Sequence, residues 1–275
     1  MSYVSPIDCL VIDDANAHEQ TKGVIVSGEE MVFGWAPPPE DFSATFAAPF
    51  PTPLIPRSEW DERIRDQVRF GMNPIAVARG AGLTVKNQKR TNYCWEFSKV
   101  QLVEFARVKQ GLEHVPLSPA SVAAPLTQYR NARGNPAGVG GWASKGVDFA
   151  SINGICPSSI WPEHGIDSKY DTPTARAARQ LYKPTEWWNL PTGDFAAVMT
   201  SLLLGEPVAI GLGWWGHQVV AMDPVKFDGT GNYGVKIWNP WGPDWPKPGA
   251  GGEAILTESK ARPNDAVTVG VVTAS

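Results

Sequence analysis

A cysteine at the start of a helix is the feature that most constrains this chain. In the stretch Gln88-Lys-Arg-Thr-Asn-Tyr-Cys94-Trp95-Glu-Phe-Ser98 a glutamine stands six residues before Cys94, and Cys94 opens a segment, Trp95 to Lys109, that reads as a helix. Its apolar positions Phe97, Val100, Phe105 and Val108 fall at mixed spacings, which predicts a helix buried on most sides. The first backbone N–H groups of a helix lack partners within it, and the helix dipole is positive there. That environment favours the thiolate, the nucleophilic form of cysteine.

Bulk properties remove several classes of function. The chain has 275 residues, room for one large domain or two small ones. A net charge of -4 and a pI near 5.6 argue against a nucleic-acid binder that works through a basic surface. No apolar run approaches the roughly 18 residues needed to span a bilayer, so no membrane insertion is expected. The first residues, Met1 to Leu10, lack a basic start and an apolar core, which argues against a signal peptide and favours a cytoplasmic or particle-bound location. Three cysteines are too few for a disulfide scaffold, and the odd number leaves at least one thiol unpaired. No His or Cys pair has metal-ligand spacing and no phosphate-cradling glycine loop is evident, so neither metal nor cofactor is expected. The 12 tryptophans predict a well-filled core with some exposed rings.

Patterning divides the chain near Leu54. Before it, Leu10–Ile12 and Val24–Val26 read as short strands, and the prolines from Pro37 to Pro56 as a stiff, extended connector. Beyond it, residues 55–205 are mainly helical. Ser58 is positioned to cap a short helix, and Gly141 to Ile152, Thr174 to Tyr182 and Phe195 to Leu204 are further helices, the last ended by Gly205. Residues 206–275 read as strands at Val208–Ile210, Val219–Met222, Tyr233–Trp238, Glu253–Leu256 and Val267–Val272, with turns at Asp223-Pro224, Asp228-Gly229 and Pro246 to Gly252. Pro119 to Pro125 is a run of small residues. Helices first and strands second predict an α+β fold of two lobes, with a cleft between them.

A cysteine nucleophile needs a base, an orienter for that base and donors for an oxyanion. Of the four histidines, His18 precedes the connector, His114 follows a helix-ending turn and His164 lies in a loop. His217 begins a strand beside glycines, where an imidazole can reach a lobe edge. Asn239 ends the following strand, so adjacent antiparallel strands bring the two together; Asn239-Pro240 reads equally well as the start of a turn. Gln88 can offer a side-chain N–H to an oxyanion, or be a solvated loop residue. Trp187-Trp188 is expected in the core and Trp214-Trp215 at a cleft rim.

These residues carry a family resemblance. The string Gln88-x₅-Cys94-Trp95-x-Phe97-Ser98, followed by His217 after about 120 residues and Asn239 after about 20 more, resembles the signature of papain-like cysteine peptidases. Trp241-Gly242, Ile55-Pro56 with Trp60, and the pair Gly140-Gly141 before a helix extend the likeness over residues 55–275. The resemblance implies a helical lobe and an antiparallel, barrel-like β lobe. It implies Cys94 as nucleophile, His217 as its ion-pair partner and general acid, Asn239 as orienter and Gln88 as oxyanion donor. Trp241 would shield the His–Asn bond, and Trp95 would pack beneath the helix. Gly140, Gly141, Tyr93 and Trp215 would meet the substrate, Gly141 through backbone hydrogen bonds to an extended peptide. The implied reaction is hydrolysis of a peptide or isopeptide bond through a thioester.

The chain departs from the family at several points. Thr91 and Gly138 stand where secreted members carry a disulfide, which fits a non-secreted protein. Tyr93 is expected to narrow the cleft, Glu96 to place negative charge near the thiol, and Pro240 replaces a small polar residue. Residues 1–54 do not resemble the long helical pro-regions of the family; they are expected to anchor the domain to a structural protein partner, in the style of phage-particle proteins. A virion component that keeps the fold with little activity is the alternative function. A Cys–His cell-wall amidase is disfavoured by the long gap between Cys94 and His217.

Overall fold

Mixed helical spacing in the cysteine segment and buried, largely apolar later strands set the architecture. The computed structural model describes residues 9–42, 48–50, 53–129, 140–227 and 231–274. In chain order the elements are β1 (Leu10–Ile12), β2 (Ile25–Val26), β3 (Glu29–Glu30), β4 (Ala48–Pro49), α1 (Trp60–Phe70), α2 (Pro74–Gly80), α3 (Cys94–Lys109), α4 (Ala120–Leu126), α5 (Ala143–Asn153), α6 (Pro173–Arg179), β5 (Pro184–Asn189), α7 (Phe195–Leu203), β6 (Val208–Leu212), β7 (His217–Lys226), β8 (Tyr233–Trp238), β9 (Glu253–Thr257) and β10 (Asp265–Val272). The fold is α+β, with a large and mostly antiparallel sheet.

Side-chain alternation splits that sheet between two cores. Val208, Ile210 and Leu212 of β6 and Val219 and Ala221 of β7 face one cluster with Trp60 and α7. Ala209, Val220 and Met222 face the other, built with α2, α3 and α5. Helix α3 lies across β6, β7 and β10 and is buried from Cys94 through Arg107, as its spacing predicts. Charges on such a helix must be paired to be tolerated. Glu96 meets Lys99 at 2.6 Å, and Glu104 meets Lys86 at 2.9 Å.

The sheet runs β1-β9-β8-β7-β6-β10-β5-β4, and both edge strands come from the N-terminal segment. β1 pairs in parallel with β9, and β4 in parallel with β5. Ile12, Val26 and Met31 sink into the first core. The residues expected to form an arm for another protein are bound along their own domain, where they cover both sheet edges.

Several local expectations are corrected. Ser58 does not cap α1; a 3₁₀ turn at Arg57–Glu59 leads into the helix without a side-chain cap. Pro119 to Pro125 mostly forms α4, because its small residues allow close packing against α3 and α5. Asp223-Pro224 is not a turn. It lies inside β7 beside a register shift, and Asp223 accepts hydrogen bonds from Asn73 Nδ2 at 2.7 Å and Ile75 N at 3.0 Å, capping the unforeseen α2. β5 was also unforeseen. It buries Trp187 as expected, while Trp188 is half-buried over Gly270, where a Cβ would strike the indole.

Candidate active site

The site forms where the start of α3 meets the starts and ends of two strands. Cys94 is the first residue of α3 and is fully buried. His217 begins β7 after a tight turn that needs Gly216 at φ +64. Asn239 directly follows β8, the antiparallel neighbour of β7. The loop before α3 is tied to the same place: Asn87 bridges Trp241, and Gln88 N donates to Pro240 O at 2.6 Å.

His217 Nε2 lies 2.9 Å from Asn239 Oδ1, which also accepts Trp241 N at 3.2 Å. Since Oδ1 is an acceptor, Nε2 carries the proton and Nδ1 holds the lone pair. Trp241 stacks on the imidazole at 4.5 Å between ring centroids, and Phe33 meets it edge-on at 6.1 Å. Nδ1 has no hydrogen-bond partner among the described residues. Burial lowers the pKa of His217 to about 3, against the weaker support of Asn239. Burial likewise pushes the Cys94 thiol up to about 12, although backbone groups of Gln218, Gly34 and Trp95 pull the other way. In this arrangement thiol and imidazole are both neutral, and desolvation outweighs the helix-start effect. The rate of Cys94 alkylation in the native chain is therefore expected to be low at pH 6–8 and to climb as pH approaches 12. A plateau near neutral pH would show that the thiolate already exists.

The cause of the burial is the chain itself. Residues Val32 to Ala36 run extended through the cleft. Gln88 Nε2 donates to Val32 O at 2.8 Å, and Asn92 Nδ2 to Phe33 O at 2.9 Å. Gly141 N donates to Gly34 O at 3.0 Å, Trp35 N to Gly216 O at 3.2 Å, and Ala36 N to Gly141 O at 3.0 Å. Trp35 and Gly141 form a parallel bridge. Close approach explains the glycines. A Cβ on Gly141 would lie 2.6 Å from the Trp95 ring, and one on Gly34 would collide with the backbone of Asn92. Gly140 sits against the Gly34 carbonyl, 2.9 Å from where its own Cβ would be.

The remaining candidates are placed as follows. Gln88 is buried with both amide hydrogens engaged, the second by Thr91 O at 2.8 Å, so Val32 holds the N–H assigned by resemblance to an oxyanion. Trp95 is fully buried and donates Nε1 to Asn92 O at 3.1 Å. Tyr93 does not narrow the cleft: it is 1% exposed and turns inward, its hydroxyl 3.1 Å from Thr127 beside α4. Trp215 is no rim residue either. It is 3% exposed, stacked on Trp214 and packed against Trp241, with Nε1 donating to Gln20 O at 2.8 Å. Glu96 points away from the thiol toward α5, where Gly146 makes room for its carboxylate. Burial pushes Glu96 up and Lys99 down, each opposed by the other's charge. Cys9, Cys94 and Cys156 are all free thiols; Gly138 lies outside the described residues. Sequence reasoning missed Val32 to Ala36 and also Asp265, which stands just before the strand expected at Val267–Val272 and begins β10. Among the described residues, no helix is long and apolar enough to cross a membrane.

The architecture is the papain-like cysteine protease fold. Among similar solved structures is xylellain, a cysteine protease from Xylella fastidiosa, with a TM-score of 0.58 and 15% identity, covering 88% of this chain and 96% of that one. A structure concerned with the mite allergens Blo t 1 and Der p 1 gives 0.58 and 15%, over 83% and 76%. The Carica candamarcensis cysteine protease CMS1MS2 in complex with E-64 gives 0.52 and 19%, over 70% and 94%. The chain spans 66% of the length of digestive procathepsin L 3 of Tenebrio molitor, at 0.56 and 18%. No protein-family model matches the sequence, and no curated protein matches it.

Proposed function

We propose that this protein is a thiol peptidase held latent by its own residues 32–36. The observation that carries the reading is the coincidence of the His217–Asn239 pair, whose chain neighbour Gln218 meets the Cys94 thiol through its backbone, with a self-segment hydrogen-bonded to Gly141, Gly216 and Gln88. With the segment displaced, water reaches the thiol and imidazole, and the burial that holds both neutral is relieved. Proton transfer from Cys94 to His217 Nδ1 then gives a thiolate–imidazolium pair. The thiolate attacks the carbonyl carbon of a peptide or isopeptide bond. Gln88 Nε2 and the Cys94 backbone N–H receive the oxyanion, and His217 protonates the leaving amine. Water then hydrolyses the thioester. Asn239 and Trp241 keep the imidazole oriented throughout.

E-64 and iodoacetamide, followed by mass spectrometry of Cys94, test this reading. Slow labelling of the native chain and fast labelling after displacement of the segment support it. Equal, slow labelling in both states contradicts it. A second reading, a fold retained for assembly, for example in a virion, draws on the engagement of both Gln88 amide hydrogens and the unpaired Nδ1 of His217. On that reading the chain assembles with a structural partner and cleaves nothing even when open.

A further inference from the structure

A second histidine touches the loop that carries Gln88. His164 Nε2 lies 2.7 Å from Asn87 O. A carbonyl oxygen only accepts, so Nε2 carries the proton and donates it. The other end of the same peptide unit, Gln88 N–H, donates to Pro240 O at 2.6 Å. In a planar trans peptide the C=O and N–H point in opposite directions. His164 and Pro240 therefore grip one peptide plane from its two sides. Pro240 stands between Asn239 and Trp241, so the plane is tied to the residues that hold the His217 ring. Thr91 O fixes one hydrogen of the Gln88 side-chain amide at 2.8 Å. With that anchor in place, the tilt of the peptide plane sets where the other hydrogen points.

The loop that bears His164 is itself held. Trp161 is fully buried and donates Nε1 to Gly165 O at 2.7 Å, and Ser118 Oγ donates to Pro162 O at 3.1 Å. Glu163 meets Lys86 Nζ at 2.5 Å, and the same ammonium meets the buried Glu104 of α3 at 2.9 Å. Adjacent residues of this loop thus hold adjacent residues of the one that carries Gln88. The imidazole lies against Phe97, one turn after Cys94 in α3, with centroids 5.5 Å apart and planes at 31°.

We infer that His164 is a positioning residue for the reaction: its donation to Asn87 O fixes the Asn87–Gln88 peptide plane and so aims Gln88 Nε2 at the oxyanion. The inference rests on the proposed peptidase reading for that oxyanion, but the clamp can be read without catalysis. Two substitutions separate the donor from the ring. His164→Phe keeps a ring against Phe97 and loses the N–H. His164→Gln loses the ring and keeps an amide N–H of similar reach. Packing alone favours phenylalanine, whereas the clamp favours glutamine.

Hydrogen exchange of the Gln88 backbone N–H, followed by NMR in the otherwise unaltered chain, is expected to quicken about tenfold in His164→Phe and to stay within about threefold of the parent in His164→Gln. Unchanged exchange in His164→Phe, or equal quickening in both, overturns the inference. Turnover is read in the Gly34→Ala background, where the new Cβ collides with the Asn92 backbone and lifts the self-segment. There, on a peptide that this background cleaves, His164→Phe is expected to lower kcat by about ten- to a hundredfold with KM little changed, the mark of an oxyanion donor displaced rather than of lost ground-state binding. His164→Gln is expected to restore most of that loss. Alkylation of Cys94 by iodoacetamide forms no oxyanion and is expected to be equal in all three chains. A raised KM with kcat intact, or slower alkylation in His164→Phe, overturns the inference. Should His164→Phe fail to fold, the ¹⁵N shifts of the His164 ring in the unaltered chain decide it: Nε2 is expected to be protonated, and a neutral ring with its proton on Nδ1 overturns the inference. Exchange that follows the expected order, with no hydrolysis by any open chain, would retire the peptidase reading and leave the clamp. Hydrolysis indifferent to His164→Phe would do the reverse.

Discussion

Replacing Gly34 by alanine is expected to raise the rate of Cys94 alkylation at pH 7 by about a hundredfold or more. The backbone of Gly34 is not in the left-handed region, so alanine costs nothing in conformation. The cost is a collision between the new Cβ and the Asn92 carbonyl, a backbone atom that cannot rotate away. The segment must lift, and the bonds of Gly34 O and Trp35 N to Gly141 and Gly216 go with it. Cys94 and His217 then regain water, and the burial that dominates both pKa values is relieved. The thiolate fraction at neutral pH follows the thiol pKa, which is why the expected change is so large. The change leaves every proposed catalytic side chain in place, so faster alkylation reports opening of the cleft. Mass spectrometry with a time course on Cys94, with Cys156 as an internal buried control, reads the effect.

Glu96→Ala is expected to destabilise the fold by about 3–5 kcal/mol, the usual cost of stranding one member of a buried ion pair. Lys99 is fully buried, and its amino group has Glu96 2.6 Å away as its ion-pair partner. Its own charge would have to be neutralised or exposed. The double change Glu96→Gln with Lys99→Met removes both charges and is expected to recover most of that loss. Denaturant unfolding of the three chains checks it; a single variant within about 1 kcal/mol of the parent would show that the buried pair within α3 does not carry this cost. The same pair bears on function, because α3 carries Cys94 at its start and a loosened helix would misplace the thiol.

The parts of this molecule governed by local rules were legible from its sequence. The start of α3 followed from Cys94 and the apolar spacing behind it, and β8 was read from Tyr233 to Trp238 as it stands. The meeting of His217 with Asn239 followed from two consecutive antiparallel strands, since adjacent strands place a strand start beside the next strand's end. The inward turn of Tyr93 was not legible: it depends on Thr127, 34 residues away. Nor was the path of Val32 to Ala36. That segment has no periodicity, and its hydrogen bonds reach Gln88, Asn92, Gly141 and Gly216, far along the chain. Prolines and short strands suggested an arm that anchors the domain to another protein, whereas β1 pairs with β9 and β4 with β5 of its own domain. Asp223-Pro224 misled for a related reason, because a bulge lets a turn-like pair sit within a strand.

The central claim is that a competent thiol peptidase lies beneath its own N-terminal segment. Peptide hydrolysis by the 275-residue Gly34→Ala chain, with Gly34→Ala/Cys94→Ala as control, tests it most directly. The account predicts cleavage of a mixed peptide library by the first chain, blocked by E-64, and none by the second. Rapid alkylation of Cys94 in the Gly34→Ala chain without any cleavage of that library would contradict it, leaving an open cleft that performs no hydrolysis.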